Sequence, residues 1–280
     1  MDKPAGPTSH DIVARARRLL KERAVGHTGT LDPFASGLLV LLIGRGTRVA
    51  RFVEQQPKTY LATAKLGFRT TTDDLHGETV GADETDKAVR AVTSGLVGEA
   101  LAAMVGRQQQ QPPAFSAKKV DGERSYRKAR RGETVELASV AVTVQSLELL
   151  DYAAPLVTFR AVVSAGTYLR AMARDLGERL GTGAHLVALR REAIGDLRVE
   201  DAIAVEAIRP DDLLPLRAVL NHLPAVELDP ADRVAVSHGR AIGAKAGEGD
   251  SVLLVHGADL VAVARADGER LQPVVVLGEA

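Results

Sequence analysis

Residues 140–150 and 156–163 alternate apolar and polar side chains. That period of two turns one strand face to a core and the other to solvent. Around them lie helical spacings: Leu169, Met172, Ala173, Leu176 and Leu180 recur on one helix face, with Thr167 as the expected cap. Ser9 is placed to cap a helix to about Arg23, with Ile12, Ala16, Leu19 and Leu20 on its apolar face and Arg15, Arg18 and Lys21 off it. Gly26 stops that helix, and residues 26–37 read as a loop. Leu38–Ile43 has the length of a strand buried on both faces, and Tyr60–Leu66 partly alternates as another strand. Four consecutive glutamines followed by Pro112 and Pro113 prevent one long regular element over 107–118. Strands and helices mix without a strict βαβ rhythm. The expectation is an α/β (α+β) fold with a mixed, largely antiparallel sheet and flanking helices.

The pattern changes near Leu223. Short apolar runs at 251–256, 260–264 and 273–277 are punctuated by Gly257 and by Asp267-Gly268. They predict a small C-terminal β-barrel, and so a division into 1–222 and 223–280. The length of 280 residues agrees, since a single domain usually takes roughly 100–200. There is no cysteine, which excludes a disulfide scaffold, a cysteine-ligated zinc, an iron–sulfur cluster and a cysteine nucleophile. The longest aliphatic run is six residues, against roughly 20 for a bilayer span. With no apolar leader after Met1, a cytoplasmic protein with no membrane partner is expected.

Thirty-six basic and thirty-six acidic residues cancel, yet they are unevenly spread. Residues 1–60 carry ten Lys/Arg against five Asp/Glu, 107–131 eight against two, and 160–191 six against two. Three basic blocks that converge in the fold would offer a surface to phosphates. Aromatics are only 3% of the chain, which argues against a platform of several stacked rings.

No phosphate-binding glycine loop, dinucleotide fingerprint or serine elbow is present. The closest histidines in sequence are sixteen residues apart, so no local metal pair exists. Carboxylate chemistry remains. In the segment from Gly26 to Gly37, Asp32 precedes Pro33, which holds its backbone extended, and flanking glycines permit close approach of another chain segment. Such a loop suits a nucleophile or a base, although an Asx-type turn has the same local sequence. Arg170 stands in the first turn of its helix, where a cation opposes the helix dipole. A nearby anion, a phosphate or a carboxylate such as Asp32, would account for it, as would a solvated arginine pointing away from the site.

Residues 26–37 resemble the catalytic loop of the bacterial TruB family, the pseudouridine synthases that modify uridine 55 in the T loop of tRNA. The likeness extends over residues 2–195. It includes Asp2-Lys3-Pro4 with Gly6 and Ser9; Lys58-Thr59-Tyr60 followed by Thr70-Thr71-Thr72-Asp73-Asp74; Gln111-Pro112-Pro113 through Gly122 with Tyr126 and 129–132; Gly166-Thr167-Tyr168-Leu169-Arg170; and Gly183-Ala184-His185-Leu186 with Leu189-Arg190-Arg191. The tail is similar to a PUA-type RNA-binding domain. In the family an apolar strand precedes Asp-Lys-Pro, whereas here Asp2 follows Met1, so the departure touches the sheet edge.

The resemblance implies an isomerase, an intramolecular transferase that needs no cofactor and no metal. It makes Asp32 the essential carboxylate, Arg170 its salt-bridge partner and Tyr60 the ring that stacks on a flipped uracil. Asp74 would join the polar network, Leu189 would pack on the base and His27 would fill the vacated space. Tyr168 would contact substrate. Arg48, Lys118, Lys119, Arg124, Arg127, Arg130 and Arg131 would meet phosphates, most of them in an RNA-gripping insertion at about 107–132. The implied partner is the T arm of tRNA, bound by a monomer without a guide RNA. A non-catalytic RNA-binding protein or tRNA-folding chaperone would also explain the basic blocks, but it leaves Asp32, Tyr60 and Arg170 unused.

Overall fold

The computed structural model describes residues 1–80, 85–115, 119–120, 123–125, 131, 133, 137–243 and 250–278, with the side chains of 85, 86, 119, 120 and 124 excepted. An eight-stranded sheet forms its centre. From one edge to the other, the strands are Asp2–Lys3, Ser36–Leu38, Ala184–Ile194, Lys58–Leu66, Leu156–Val163, Val140–Ala153 and Gly106–Gln110, with Leu197–Arg198 paired to the end of Ala184–Ile194. All of these neighbours are antiparallel except Ser36–Leu38 beside Ala184–Ile194. The mixed, largely antiparallel sheet expected from the alternation is present. Asp2–Lys3 supplies its edge, where Asp2 takes a bidentate pair from Arg190 at 2.8 and 3.1 Å.

One face of this sheet carries Tyr60, Ala62, Ala64, Leu66, Phe159 and Leu186. Helix Leu169–Arg179 lays Leu169, Met172, Ala173 and Leu176 on it, and helix Ser94–Ala102 adds Val97 and Leu101. The apolar spacing read from the sequence therefore identifies the buried stripe. The caps differ. Thr8, not Ser9, caps the first helix, Ser9–Leu20, because Asp11 three residues on completes a reciprocal capping box with it. Ser9 is freed to brace Leu31. The helix ends at Lys21 in the left-handed conformation rather than at Gly26, and Leu19 faces solvent while Val13 is buried. Thr167 does not cap helix Leu169–Arg179; its hydroxyl donates to the Ser164 carbonyl, and Tyr168 is the cap position. The run Leu38–Ile43 is broken at Leu39. Ser36–Leu38 joins the main sheet, while Val40–Ile43 pairs with Val25–Thr28.

The C-terminal segment curls a five-stranded sheet, in the order Ala225–Glu227, Ser251–His256, Asp259–Asp267, Arg270–Val276 and Ile242–Gly243, beside helix Pro230–Ser237. Its core is not isolated. Leu253, Val255, Val263, Val275 and Leu277 pack in one cluster with Leu38, Val40, Val49, Phe52 and Ile194. Arg45 and Arg48 donate to the carbonyls of Leu277 and Val276. No helix among the described residues is long and apolar enough to cross a membrane.

Candidate active site

Asp32 sits on the loop between strands Val25–Thr28 and Ser36–Leu38, and that loop is fixed at many points. The Ser9 hydroxyl donates to the Leu31 carbonyl at 3.2 Å and accepts from the Leu31 amide at 2.9 Å. The Gly6 amide reaches the Pro33 carbonyl at 2.7 Å. Lys3, fully buried, donates to the Pro4 and Pro7 carbonyls at 2.9 and 2.8 Å and to Pro33 at 3.4 Å. Gly37 closes the loop at φ +101°, and an added Cβ there would lie 2.3 Å from the Arg191 carbonyl oxygen. Only glycine fits such an approach.

Arg170 lies in the first turn of helix Leu169–Arg179, as the sequence predicts. Its Nε is 3.0 Å from Asp32 Oδ2, and its NH2 is 3.4 Å from Oδ1. Its NH1 meets Asp74 Oδ2 at 3.4 Å and the Thr72 carbonyl at 3.0 Å, and its NH2 also donates to the Phe115 carbonyl at 2.9 Å. The guanidinium is 7% exposed and Asp74 9%, whereas Asp32 keeps 34% of its side chain open. One buried cation thus holds two carboxylates, of which one faces outward. Asp74 is further fixed by the Thr72 hydroxyl at 2.6 Å and the His76 amide at 3.0 Å.

Desolvation pushes the Asp32 carboxyl above its ordinary 3.8. Arg170 opposes that rise, the Asp74 charge adds to it, and the Lys3 charge opposes it more weakly.

Tyr60 and Leu189 are buried in the same core as Leu31 and Leu169, and the partly buried Phe34 packs against it. Tyr60 shows only 7% of its surface. Tyr168 places the arginine helix through its backbone. Its N–H donates to Gln110 Oε1 at 2.8 Å and its carbonyl accepts from Gln110 Nε2 at 3.1 Å.

His27 belongs to strand Val25–Thr28 rather than to a loop. Burial and the Arg191 charge hold it below its usual 6.5, so it is neutral at pH 7. It borders a cleft of about 560 Å³ with Gly29, Thr30, Arg51, Glu54, Gln55, Lys58, Ala165 and Gly166. Arg48 is engaged with the Val276 carbonyl. Arg131 is held by Glu123 at 2.7 and 2.9 Å and by Glu133 at 2.7 Å, so a phosphate there would compete with two carboxylates. Lys118, Arg127 and Arg130 lie outside the described residues, as do the side chains of Lys119 and Arg124.

A second arginine was not singled out by sequence reasoning. Arg174, one turn beyond Arg170 on the same helix face, meets Asp73 at 3.0 Å, Asp175 at 2.8 Å and the Gln111 carbonyl at 2.9 Å. The doublet Asp73-Asp74 and the i, i+4 arginines are its sequence signal. Phe34 and His76, in edge contact at 6.1 Å, also went unread.

The complete fold has solved counterparts. A Cbf5-Nop10-Gar1 complex matches at TM-score 0.75 and 26% identity, covering 99% of this chain and 84% of that one. A structure of an H/ACA RNP bound to a substrate RNA containing 2′-deoxyuridine matches at TM-score 0.74 and 25% identity, covering 99% and 83%. In sequence, the model of the TruB family pseudouridylate synthase (N terminal domain) matches residues 17–169. A tRNA pseudouridine synthase B of Burkholderia mallei is 42% identical, covering 99% of this chain and 96% of the relative. One from an Arthrobacter species is 43% identical, covering 89% and 83%. The chain belongs to the TruB family of pseudouridylate synthases.

Proposed function

We propose that this chain converts uridine to pseudouridine in the T loop of tRNA, at position 55, with Asp32 as the essential carboxylate. The observation that carries the proposal is the outward-facing Asp32 carboxylate, aimed by the buried Arg170 that also holds Asp74. The names of the relatives support tRNA as the substrate.

The isomerisation breaks the bond between C1′ and N1, turns the base, and forms a bond between C1′ and C5. C5 then loses its proton and N1 gains one, so atoms balance without oxidation or hydrolysis. Asp32 either attacks C1′ or takes the 2′ proton; both routes use the ionised carboxylate. The target must leave the RNA stack at a cost of a few kcal/mol. Tyr60 and Leu189 receive the uracil on the apolar wall, and Tyr60 is the base for the C5 proton. Neutral His27 occupies the space left in the RNA. The chain acts as a monomer without a guide RNA, its basic insertion gripping the T arm and its C-terminal sheet serving as a PUA-like RNA-binding domain.

Tritium release from tRNA labelled with 5-³H-uridine tests this reading. Release is expected with normal tRNA and not with tRNA carrying cytidine at position 55. Equal release from both would move the target elsewhere. Tight binding with no release from either would favour the RNA-binding reading.

A further inference from the structure

The loop that carries Asp32 is anchored from behind by Arg191. This side chain is fully buried. Its Nε donates to the Leu38 carbonyl at 2.7 Å, and its NH2 donates to the Gly29 carbonyl at 3.0 Å. Those two carbonyls stand at the two ends of the segment containing Asp32. The backbone of Arg191 also pairs with Gly37 on one side and with Tyr60 on the other. One residue therefore ties both roots of the loop to the strand that bears the tyrosine.

Among the described residues the charge of Arg191 has no carboxylate partner; its bonds run to backbone carbonyls, and NH1 is buried with no hydrogen-bond partner. Lys58 is near the same glycine, with its Cε 3.6 Å from the Cβ position of Gly29, and donates to the Glu54 and Gln56 carbonyls. Burying a guanidinium on such terms is costly, and an apolar side chain would fill the space at lower cost. A lysine could not reproduce the two bonds, because their spacing requires the rigid planar fork.

We infer that Arg191 is a positioning residue for Asp32. It fixes the separation of Gly29 and Leu38, and so the height at which the loop presents its carboxylate to C1′. It touches no substrate. This inference rests on the reaction proposed above. Displacing a reacting group by about 1 Å can cost roughly 100-fold in rate.

The test uses Arg191→Lys, Arg191→Met and Asp32→Asn beside the unaltered protein. Each is assayed by single-turnover tritium release, tRNA binding, thermal melting and a pH–rate profile. Both Arg191 variants are expected to fold and to bind tRNA as the unaltered protein does, but to lose about 10- to 100-fold in the plateau rate. The acid limb of the profile should stay in place, since the loss is one of geometry and not of charge. Three results overturn the inference: a plateau rate equal to the unaltered protein, a displaced acid limb with an intact plateau, or collapse of the fold in both variants, which would make Arg191 simply structural. If the unaltered protein itself releases no tritium, the proposed function fails instead.

Discussion

The eight-stranded sheet and the C-terminal sheet bury different kinds of side chain. Lys3, Lys58, Asp73, Asp74, Arg170 and Arg191 are all buried in the first region. Among the described residues after Arg191, no polar or charged side chain is buried; the C-terminal core consists of valine, leucine, isoleucine and alanine. Buried ions weigh against stability unless paired with care, whereas buried aliphatic groups support it directly. The molecule thus concentrates its electrostatic cost around the Asp32 loop and its apolar packing around the tail. The two regions meet in one shared apolar cluster, so the tail also supports the strand that begins at Ser36.

The largest effect should come from removing residues 223–280. Leu38, Val49, Phe52 and Ile194 would lose apolar neighbours, and the bonds from Arg45 to the Leu277 carbonyl and from Arg48 to the Val276 carbonyl would go. The truncated chain is expected to melt far below the full chain or not to fold, as seen by circular dichroism. A truncation with an unchanged melting temperature would show that the shared cluster contributes nothing. A smaller cut makes the same comparison. Leu253→Ala should cost roughly 2–5 kcal/mol in urea unfolding and leave the single-turnover rate intact wherever the variant is folded. A rate that falls with stability would couple the tail to catalysis.

Within the charged region, Asp74→Asn removes the like charge that raises Asp32. The acid limb of the rate profile should move to lower pH, measured by single-turnover release across pH. A limb that stays or moves up would mean that Asp74 serves only as an anchor for Arg170.

The smallest effect is on stability. A carboxyl raised above 3.8 in the folded state binds more protons there than when unfolded, so its contribution makes stability fall as pH rises through that window. Asp32→Asn should remove that part of the slope in urea unfolding as pH rises from the reference carboxylate range. A slope unchanged by the substitution would show that Asp32 titrates alike in both states. Lys58 has the opposite sign: lowered to about 8 from 10.5, it makes stability rise with pH between those values.

Much of this was legible in the sequence because period and punctuation survive translation into structure. Residues 140–150 and 156–163 read as alternating strands and both lie in strands, although the first has register shifts at Val144/Ser146 and Leu149/Asp151, and Arg170 stands where a helix start disfavours a cation. Other features were not legible for physical reasons. An uninterrupted aliphatic run carries no period, so nothing in Leu38–Ile43 marks the break at Leu39, where the amide donates to the Met1 carbonyl. Thr8 and Ser9 are both good caps, and only the position of Asp11 separates them. Charge alone does not reveal that Arg48 meets the Val276 carbonyl or that Arg131 meets Glu123 and Glu133. The clamp by Arg191 joins residues 29, 38 and 191, a juxtaposition that only the sheet creates.

The central claim is that one carboxylate does the chemistry while many dispersed groups bind the RNA. Asp32→Asn keeps the shape and removes the charge, and it is best measured by single-turnover tritium release with enzyme in excess over tRNA, beside a salt titration of tRNA affinity. On the proposed reading affinity comes from phosphate neutralisation spread over many Lys and Arg, and should be retained together with its salt slope. Release should be abolished. A variant that is folded, binds tRNA and releases tritium at a rate near that of the unaltered protein would contradict the account.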